Sequence, residues 1–189
     1  LTVGTDVSVG KMFTALAIEQ EMKKRGFDAD FRATGQTGIF IAGSGVSIDA
    51  VVADFISGAV EWLCPENSEN HWDIVEGQGS LFNVSYAGVT LGLIHGSQPD
   101  ALVVCHEAGR PHMRSMPHFP LIDLPTCIDV NLQAARLTNP DVRCVGAAIN
   151  TSRLSEEEGR VFCDKISQEI GLPAVDPLRD GVASLVDQI

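Results

Sequence analysis

The chain has 189 residues, 44% of them apolar, which is enough for one domain with a full hydrophobic core. Its formal net charge is −12, from 25 acidic and 13 basic residues. This balance excludes the broad basic surface on which nucleic-acid binding depends. No apolar run reaches the ~20 residues of a membrane span, and no basic segment typical of a signal peptide opens the chain. We therefore expect a soluble protein whose partners are neither nucleic acids nor membranes.

The five cysteines form no CxxC pair, and their number is odd. Cys105 and Cys144 lie in apolar runs typical of buried strands, so we expect reduced thiols and a cytoplasmic protein. His106, His112 and His118 follow one another at intervals of six residues in a proline-rich segment, a spacing that matches no standard metal-ligand pattern. The sequence therefore predicts no metal site.

A glycine-containing loop separates the first predicted strand from the first predicted helix. Backbone N–H groups near a glycine, a lysine ammonium and a helix N-terminus together bind phosphate, as in the P-loop. We therefore predict that this loop holds the phosphates of an anionic ligand. Only three residues precede Gly4, which leads us to expect that the natural protein extends upstream. The residues predicted to contact the ligand are Gly4, Thr5, Asp6, Ser8, Val9, Gly10, Lys11 and Met12.

The loop departs from the standard P-loop pattern at two points. Five residues separate Gly4 from Gly10 where the pattern has four, so that Thr5 occupies the first-glycine position. Met12 stands where a Ser or Thr hydroxyl would bind Mg²⁺, and Thr14 lies about 200° further around the helix and does not replace it. The sequence therefore favours phosphate binding without magnesium and disfavours phosphoryl transfer, which depends on that ion.

Beyond the loop, predicted strands alternate with predicted helices. The apolar rhythm over 48–63, after the potential cap Ser47, predicts a helix of four turns. Ser155 and Gly171 are typical caps of a helix between them. Strands are predicted over 28–34, 72–76, 101–106 and 143–150, loops over 35–38 and 107–125, and a further helix around 128–137. The first helix is predicted over 11–25, with an inward face formed by Phe13, Leu16, Ala17 and Met22.

This alternation predicts one α/β domain over residues 1–189. We expect the three-layer architecture of P-loop NTPases, in which a mostly parallel sheet carries helices on both faces. One sheet of at least five strands is predicted. No internal repeat or linker divides the chain.

Polar side chains follow several predicted strands at their carboxyl ends, the edge where open α/β sheets bind ligands. Gln36 and Thr37 follow the second strand, and Asn150 ends the last one. Glu76 and Gln78 follow the third strand, with Glu76 in the position of a Walker-B carboxylate. We predict that these five side chains contact the ligand.

The most apolar strand ends in His106, and Arg110 follows it at the same edge. A histidine with a pKa near neutrality is suited to act as a general base. A guanidinium binds a carboxylate bidentately and would provide this acidic protein with a local cationic site. We predict that His106 is the base of a reaction at this edge and that Arg110 clamps a substrate carboxylate.

Several stretches resemble known families. Gly4-Thr5-Asp6 with Val9-Gly10-Lys11, followed by Val75-Glu76-Gly77, resembles dethiobiotin synthetase, whose loop has the same longer spacing. Most of the chain is similar to a second family, often labelled NAD-dependent epimerase/dehydratase, in which some members are D-glutamate N-acetyltransferases. That family also has Met12 in its loop and a domain upstream of it. The shared stretches are GTDVSVGKM, ATGQTGI, DAVVADF, VEGQGSL, GVTLGLIHGSQPDALVVCHE and the strand ending in Ala148-Ile149-Asn150.

The second resemblance implies acyl transfer. The loop would bind the pyrophosphate of acetyl-CoA, and the acetyl group would move to the amine of D-glutamate or a similar anionic amino acid. The relatives of dethiobiotin synthetase imply that Asn150, with residues 176–179, faces the nucleotide base. We also expect the domain to pack against the upstream N-terminal domain and to form a homo-oligomer.

Two alternatives stay open at this point. One is a ligase or phosphotransferase that uses ATP with Mg²⁺, in which Glu76 would bind the metal and Asp49 or Thr14 would compensate for Met12. The other is a nucleotide-binding module without chemistry. NAD-dependent epimerase chemistry is excluded, because no GxGxxG motif follows the first strand.

Overall fold

A computed structural model describes all 189 residues of the chain. None of its helices is both long and apolar enough to cross a membrane. The strands are β1 (Thr2–Gly4), β2 (Asp28–Arg32), β3 (His71–Val75), β4 (Ala101–Glu107), β5 (His112–Met113), β6 (Met116–Pro120), β7 (Arg143–Asn150) and β8 (Ala174–Val175). The helices are α1 (Lys11–Lys24), α2 (Gln36–Ala42), α3 (Ile56–Leu63), α4 (Ala87–Ser97), α5 (Leu124–Ala135), α6 (Glu156–Ile170) and α7 (Ala183–Val186).

Six of the eight strands are parallel to their neighbours. Four form one sheet in the order β1-β4-β7-β8, and β2 pairs with β3. The end of β3 lies beside β1, where the Gly77 N–H donates to Thr2 Oγ1 at 2.9 Å. The predicted parallel arrangement is confirmed, but the larger hydrogen-bonded sheet has four strands where at least five were predicted, because β2 and β3 form a separate pair. The remaining strands, β5 and β6, form an antiparallel hairpin after β4.

Alternate residues of β4 face two separate cores, as expected of a strand buried on both sides. Leu102 and Val104 pack with buried side chains of α4, α5 and α6. Val103 and Cys105 pack with buried side chains of α1 and α7. Helices therefore cover both faces of the sheet, and the predicted three-layer architecture is confirmed.

The helix predicted over 48–63 is wrong in its first half. The chain there forms two short 3-10 turns, Ile48–Ala50 and Ala53–Phe55, and α3 begins only at Ile56. Val51 and Val52 between the turns have extended backbones, a conformation that β-branched residues favour. Val52 stays 68% exposed, so the apolar rhythm did not correspond to one buried face.

Two further elements differ from expectation. Residues 35–38, predicted to be a loop, contribute the first turn of α2, and the long loop after β4 contains the β5–β6 hairpin. The inward face of α1 is also shifted. Ala15, Ile18 and Met22 are its buried apolar residues, whereas Phe13 is 44% exposed because it lies at the ligand edge, where it lines two cavities.

The helix predicted between Ser155 and Gly171 is confirmed at both ends. The Ser155 hydroxyl accepts the N–H of Glu158, and the Glu158 carboxylate accepts the N–H of Ser155, which completes a capping box. Gly171 ends α6 with a left-handed φ of 66°. Local sequence alone therefore determines where this helix begins and ends.

We predict that Ser155→Ala lowers the free energy of unfolding by about 1 kcal/mol, because α6 loses the acceptor for one of its unpaired N–H groups. Urea denaturation of the variant and the parent measures the difference. Ser152→Ala is the matched control, since its exposed hydroxyl makes no hydrogen bond and only its backbone is bonded. Equal losses in the two variants would mean that the capping box contributes nothing specific.

Candidate phosphate-binding site

The loop between β1 and α1 packs directly against β4. A Cβ atom on Gly4 would lie 2.8 Å from a methyl group of Val9 and 2.9 Å from the carbonyl oxygen of Cys105, so only glycine fits there. Ser8 and Gly10 have left-handed φ values of 55° and 110°. Alternation of right- and left-handed residues turns successive N–H groups towards one point, as in an anion-binding nest.

The N–H groups of residues 8 to 13 have no acceptor within the protein. Helix α1 begins at Lys11, its N-cap Gly10 offers no side chain, and the first bonded N–H of the helix is that of Thr14, which donates to the Gly10 carbonyl at 2.9 Å. The N-terminal end of a helix carries partial positive charge in addition to these free donors. The arrangement is therefore a binding site for an anion with several oxygens, such as a phosphate.

Lys11 lies at the same point and is almost completely buried. Its ammonium donates to the backbone carbonyl of Asp6 at 2.8 Å. Burial lowers the pKa of Lys11 from 10.5 to about 8, since the charged form is poorly solvated there. The lysine thus contributes a positive charge at neutral pH, and an anion bound beside it would stabilise that charge.

Asp6 holds the loop to two distant segments. Its buried carboxylate accepts hydrogen bonds from the Asn83 side chain at 2.8 Å, the Arg110 guanidinium at 3.0 Å and the backbone N–H of Arg114 at 2.6 Å. Burial acts to raise the pKa of Asp6, but these hydrogen bonds outweigh it and lower the pKa. The carboxylate is therefore ionised at neutral pH and fixes the shape of the loop.

Two adjoining cavities, each of about 420 Å³, open on either side of the start of α1. The phosphate cavity, as we call the first, is lined by residues 7, 8, 10–13, 76–79 and 150. The second, the base cavity, is lined by Val9, Gly10, Phe13, Thr14, Ala148, Asn150, Ser152 and residues 176–179. Because Gly10, Phe13 and Asn150 border both, one elongated ligand can occupy the two cavities together.

The predicted loop residues therefore divide into two groups. Ser8, Gly10, Lys11 and Met12 line the phosphate cavity, and Val9 lines the base cavity. Gly4, Thr5 and Asp6 are fully buried and border neither.

Thr14 is 1% exposed and its hydroxyl lies 3.6 Å from the Cys105 sulfur, so it points away from the phosphate cavity and leaves the position of Met12 without a hydroxyl.

Glu76 lines the phosphate cavity, but its carboxylate is already engaged. It accepts the N–H groups of Thr34 and Gly35 at 2.9 and 3.0 Å and the amide of Gln78 at 3.1 Å. Burial raises the pKa of Glu76, and these hydrogen bonds only partly oppose the shift. A Cβ atom on Gly38 would lie 2.2 Å from the same carboxylate, so α2 can approach Glu76 only through glycine.

Gln36 and Thr37 lie in the first turn of α2, both exposed, and neither borders the phosphate cavity or the base cavity. Asn150 and Gln78, in contrast, line the phosphate cavity as predicted. The groups of His, Cys, Asp and Glu side chains include no set of three arranged to hold a metal ion.

His106 is found in surroundings that disfavour a general base. Burial, followed by the nearby charge of Arg110, lowers its pKa to about 4. One ring nitrogen shares a hydrogen bond of 3.1 Å with the Thr5 hydroxyl, and the ring stacks on Phe162. The expected pKa near neutrality is therefore wrong, and the ring borders neither cavity.

Arg110 is not free to clamp a substrate carboxylate. Its guanidinium donates to the Asp6 carboxylate, to the carbonyl oxygens of Val7 and Ser8, and to the Glu107 carboxylate. Glu107 in turn accepts from Arg153. The predicted role is corrected accordingly: Arg110 stabilises the phosphate loop, because both terminal nitrogens of its guanidinium donate to the protein itself.

Sequence reasoning missed Asn83 and Arg114, the other partners of Asp6. They lie 77 and 108 positions away from it along the chain. Neither belongs to a motif, so no signal in the sequence connects them to the loop; only the topology does.

Comparison with known proteins identifies the family. The model of the DUF1611 family, described as "Domain of unknown function (DUF1611_C) P-loop domain", matches residues 1–186. A DUF1611 family protein from Anabaena variabilis, whose crystal structure is known, is 40% identical and superposes with a TM-score of 0.94. The match covers 99% of this chain and 55% of that protein. These matches confirm the predicted resemblance.

Curated relatives carry a function in their names. A "D-glutamate N-acetyltransferase" from Pseudoalteromonas sp. is 60% identical over 186 residues, and one from Tritonibacter scottomollicae is 53% identical over 189 residues. The alignments cover 98% and 100% of this chain but 56% and 57% of the relatives. The chain thus spans little more than half the length of these proteins.

A more distant structural neighbour shows the fold alone. The cobyrinic acid a,c-diamide synthase of Mycobacterium smegmatis, solved with bound ADP and magnesium, has a TM-score of 0.57 at 11% identity; the match covers 98% of this chain and 91% of that one. The common fold confirms the P-loop architecture.

We predict that Gly38→Ala destabilises the domain by about 1–3 kcal/mol, because the new methyl group would overlap the Glu76 carboxylate. Gly58→Ala is the matched control: it also replaces a helical glycine, but a Cβ atom there meets nothing within 4 Å, so a gain of about 0.5–1 kcal/mol is expected. Urea denaturation measures both. If both variants gain stability, Glu76 does not hold α2 in place.

Proposed function

The chain belongs to the DUF1611 P-loop domain family, and on that premise we propose that it binds the phosphates of acetyl-CoA for an enzyme that acetylates D-glutamate. The names of the curated relatives supply the reaction, and the site supplies the means of binding the donor. The proposal therefore includes acetyl-CoA as the donor, D-glutamate as the acceptor and the transfer of the acetyl group between them.

The observation that carries the proposal is the row of free N–H groups at residues 8–13 beside the buried ammonium of Lys11. This set of donors suits a pyrophosphate. Met12 leaves the site without the hydroxyl that magnesium would need, and coenzyme A binds through its phosphates without that ion. The Glu76 carboxylate, the metal ligand of the magnesium-dependent alternative, is occupied by backbone N–H groups, and neither Asp49 nor Thr14 lines the phosphate cavity.

The base cavity is suited to the adenine of the same molecule. Phe13, Pro177 and Leu178 provide apolar surface there, and Asn150 provides a hydrogen-bonding amide. Flat aromatic ligands bind where apolar walls carry a few fixed polar groups. An extended donor would then have its base next to β7 and its phosphates at the start of α1.

The reaction places defined demands on the rest of the site. The neutral amine of D-glutamate attacks the thioester carbonyl, the carbon–sulfur bond breaks, and the thiol leaves with a proton lost by the amine. Binding the donor contributes by orienting the thioester beside the amine. His106, with its lowered pKa and its hydrogen bond to Thr5, does not suit the base in this reaction; we propose that it positions the loop.

The predicted contact with an upstream domain and the predicted homo-oligomer stay predictions. Four large apolar side chains, Phe40, Ile41, Val52 and Phe55, are between 57% and 89% exposed. Surface of this kind suits contact with another domain.

We predict that Lys11→Ala weakens the binding of acetyl-CoA by about 1.5–3 kcal/mol at pH 7, because a charged hydrogen-bond donor is lost. The parent should also bind more weakly as the pH rises above about 8, where free Lys11 loses its proton, and the variant should lose this dependence. Calorimetric titrations between pH 7 and 9.5 measure both effects. Lys165→Ala, an exposed helical lysine, is the control. If Lys11→Ala binds acetyl-CoA with unchanged affinity, the loop does not bind the donor.

We predict that the whole protein containing this domain releases free thiol from acetyl-CoA when D-glutamate is added, at the same rate with and without EDTA. A thiol-reactive dye follows the reaction. A parallel assay for ADP, with ATP and magnesium in place of acetyl-CoA, tests the ligase alternative. ADP formation without thiol release would overturn the proposal. If neither ADP nor free thiol forms, the protein is a binding module without chemistry.

A further inference from the structure

The tip of the β5–β6 hairpin lies against the phosphate loop. Arg114 and Ser115 form the turn between Met113 and Met116, with Ser115 at a left-handed φ of 63°. The backbone N–H of Arg114 donates to the Asp6 carboxylate at 2.6 Å, and Met113, the residue before it, is buried. The backbone of Arg114 is therefore fixed beside the loop.

The Arg114 side chain, in contrast, has no partner. It is exposed and makes neither a hydrogen bond nor an ion pair. Among the 13 Lys and Arg residues only Arg136 and Lys165 share this property. Arg136 is the C-cap of α5, at the opposite edge of the sheet, and Lys165 lies in the second half of α6.

The cations nearer to the loop are already engaged. Lys11 donates to the Asp6 carbonyl, and Arg110 donates to four groups of the protein. Arg153 donates to Glu107, and Arg179 donates to two backbone carbonyl oxygens just before α6. In a protein with a net charge of −12, an unpaired guanidinium on a backbone fixed beside the phosphate loop is a specific feature. It offers a planar pair of donors to an oxyanion.

We propose that the exposed side chain of Arg114, beside the phosphate loop, binds an oxyanion of the substrates, and that this oxyanion is a carboxylate of the acyl acceptor. The inference rests on the proposed function for the identity of the acceptor, but not for the binding of an oxyanion. A phosphate of the donor shares the same chemistry and is the other source to be distinguished. Arg110 makes the loop rigid, and Arg114, four residues later, contacts the ligand.

Kinetics of the whole protein test the assignment. Arg114→Ala is expected to raise the KM for D-glutamate about 10- to 100-fold, the effect of a lost charged hydrogen bond, and to leave the KM for acetyl-CoA and the melting temperature unchanged. Arg114→Lys should restore part of the affinity. Arg136→Ala is the matched control, an unpaired arginine far from the loop, and should leave both constants unchanged.

D-glutamine distinguishes the carboxylates of the acceptor, since its side chain carries an amide instead of the γ-carboxylate. If Arg114 binds the γ-carboxylate, the parent prefers D-glutamate and Arg114→Ala loses that preference. If the preference persists while the KM for D-glutamate still rises, Arg114 binds the α-carboxylate, which also supports the proposal. A raised KM for acetyl-CoA alone would overturn the acceptor assignment in favour of a donor phosphate.

A binding experiment separates this inference from the proposed function. Pyrophosphate and D-glutamate are titrated into this chain and into its Arg114→Ala variant by calorimetry, which requires no turnover. Weaker binding of either probe to the variant supports Arg114 as an oxyanion site even if the whole protein transfers no acetyl group. Equal binding of both probes, together with unchanged KM values, would overturn it.

Discussion

The phosphate loop depends on the buried carboxylate of Asp6. Hydrogen bonds from Asn83, Arg110 and the backbone of Arg114 connect the loop to the segment after β3 and to the hairpin after β4. A buried ionised carboxylate is stable only when its hydrogen bonds are complete, so these partners are needed together. The same interaction that gives the loop its shape also fixes the tip of the hairpin beside the loop.

The rigidity of the loop explains why its N–H groups can stay without partners. An unpaired donor is costly when buried, but residues 8–13 border the two open cavities, where solvent or an anion satisfies them. Lys11 and Arg110 carry the positive charge near the loop, yet both donate to the loop itself. A ligand therefore meets donors that are already oriented, and little ordering is required when it binds.

Local signals in the sequence predicted most of the fold. The loop, β7 over 143–150 and the capped helix α6 appear as expected, because short-range hydrogen bonds and buried apolar runs determine them. The prediction of one helix over 48–63 was wrong in its first half, because contacts with residues distant in the chain determine which apolar side chains are buried. Gly38, which was predicted to lie in a loop, allows α2 to pack against Glu76, and Arg110 donates to Asp6; spacing along the chain encodes neither contact.

Amide hydrogen exchange tests the central claim most directly, that the free N–H groups at the start of α1 bind the phosphates of acetyl-CoA. Exchange at residues 8–13 of this chain is measured alone, with acetyl-CoA and with acetyl-pantetheine, which carries the same thioester without the nucleotide and its diphosphate. We expect acetyl-CoA to slow exchange in this segment and acetyl-pantetheine to leave it unchanged. Equal protection by both compounds, or protection confined to other segments, would contradict the account.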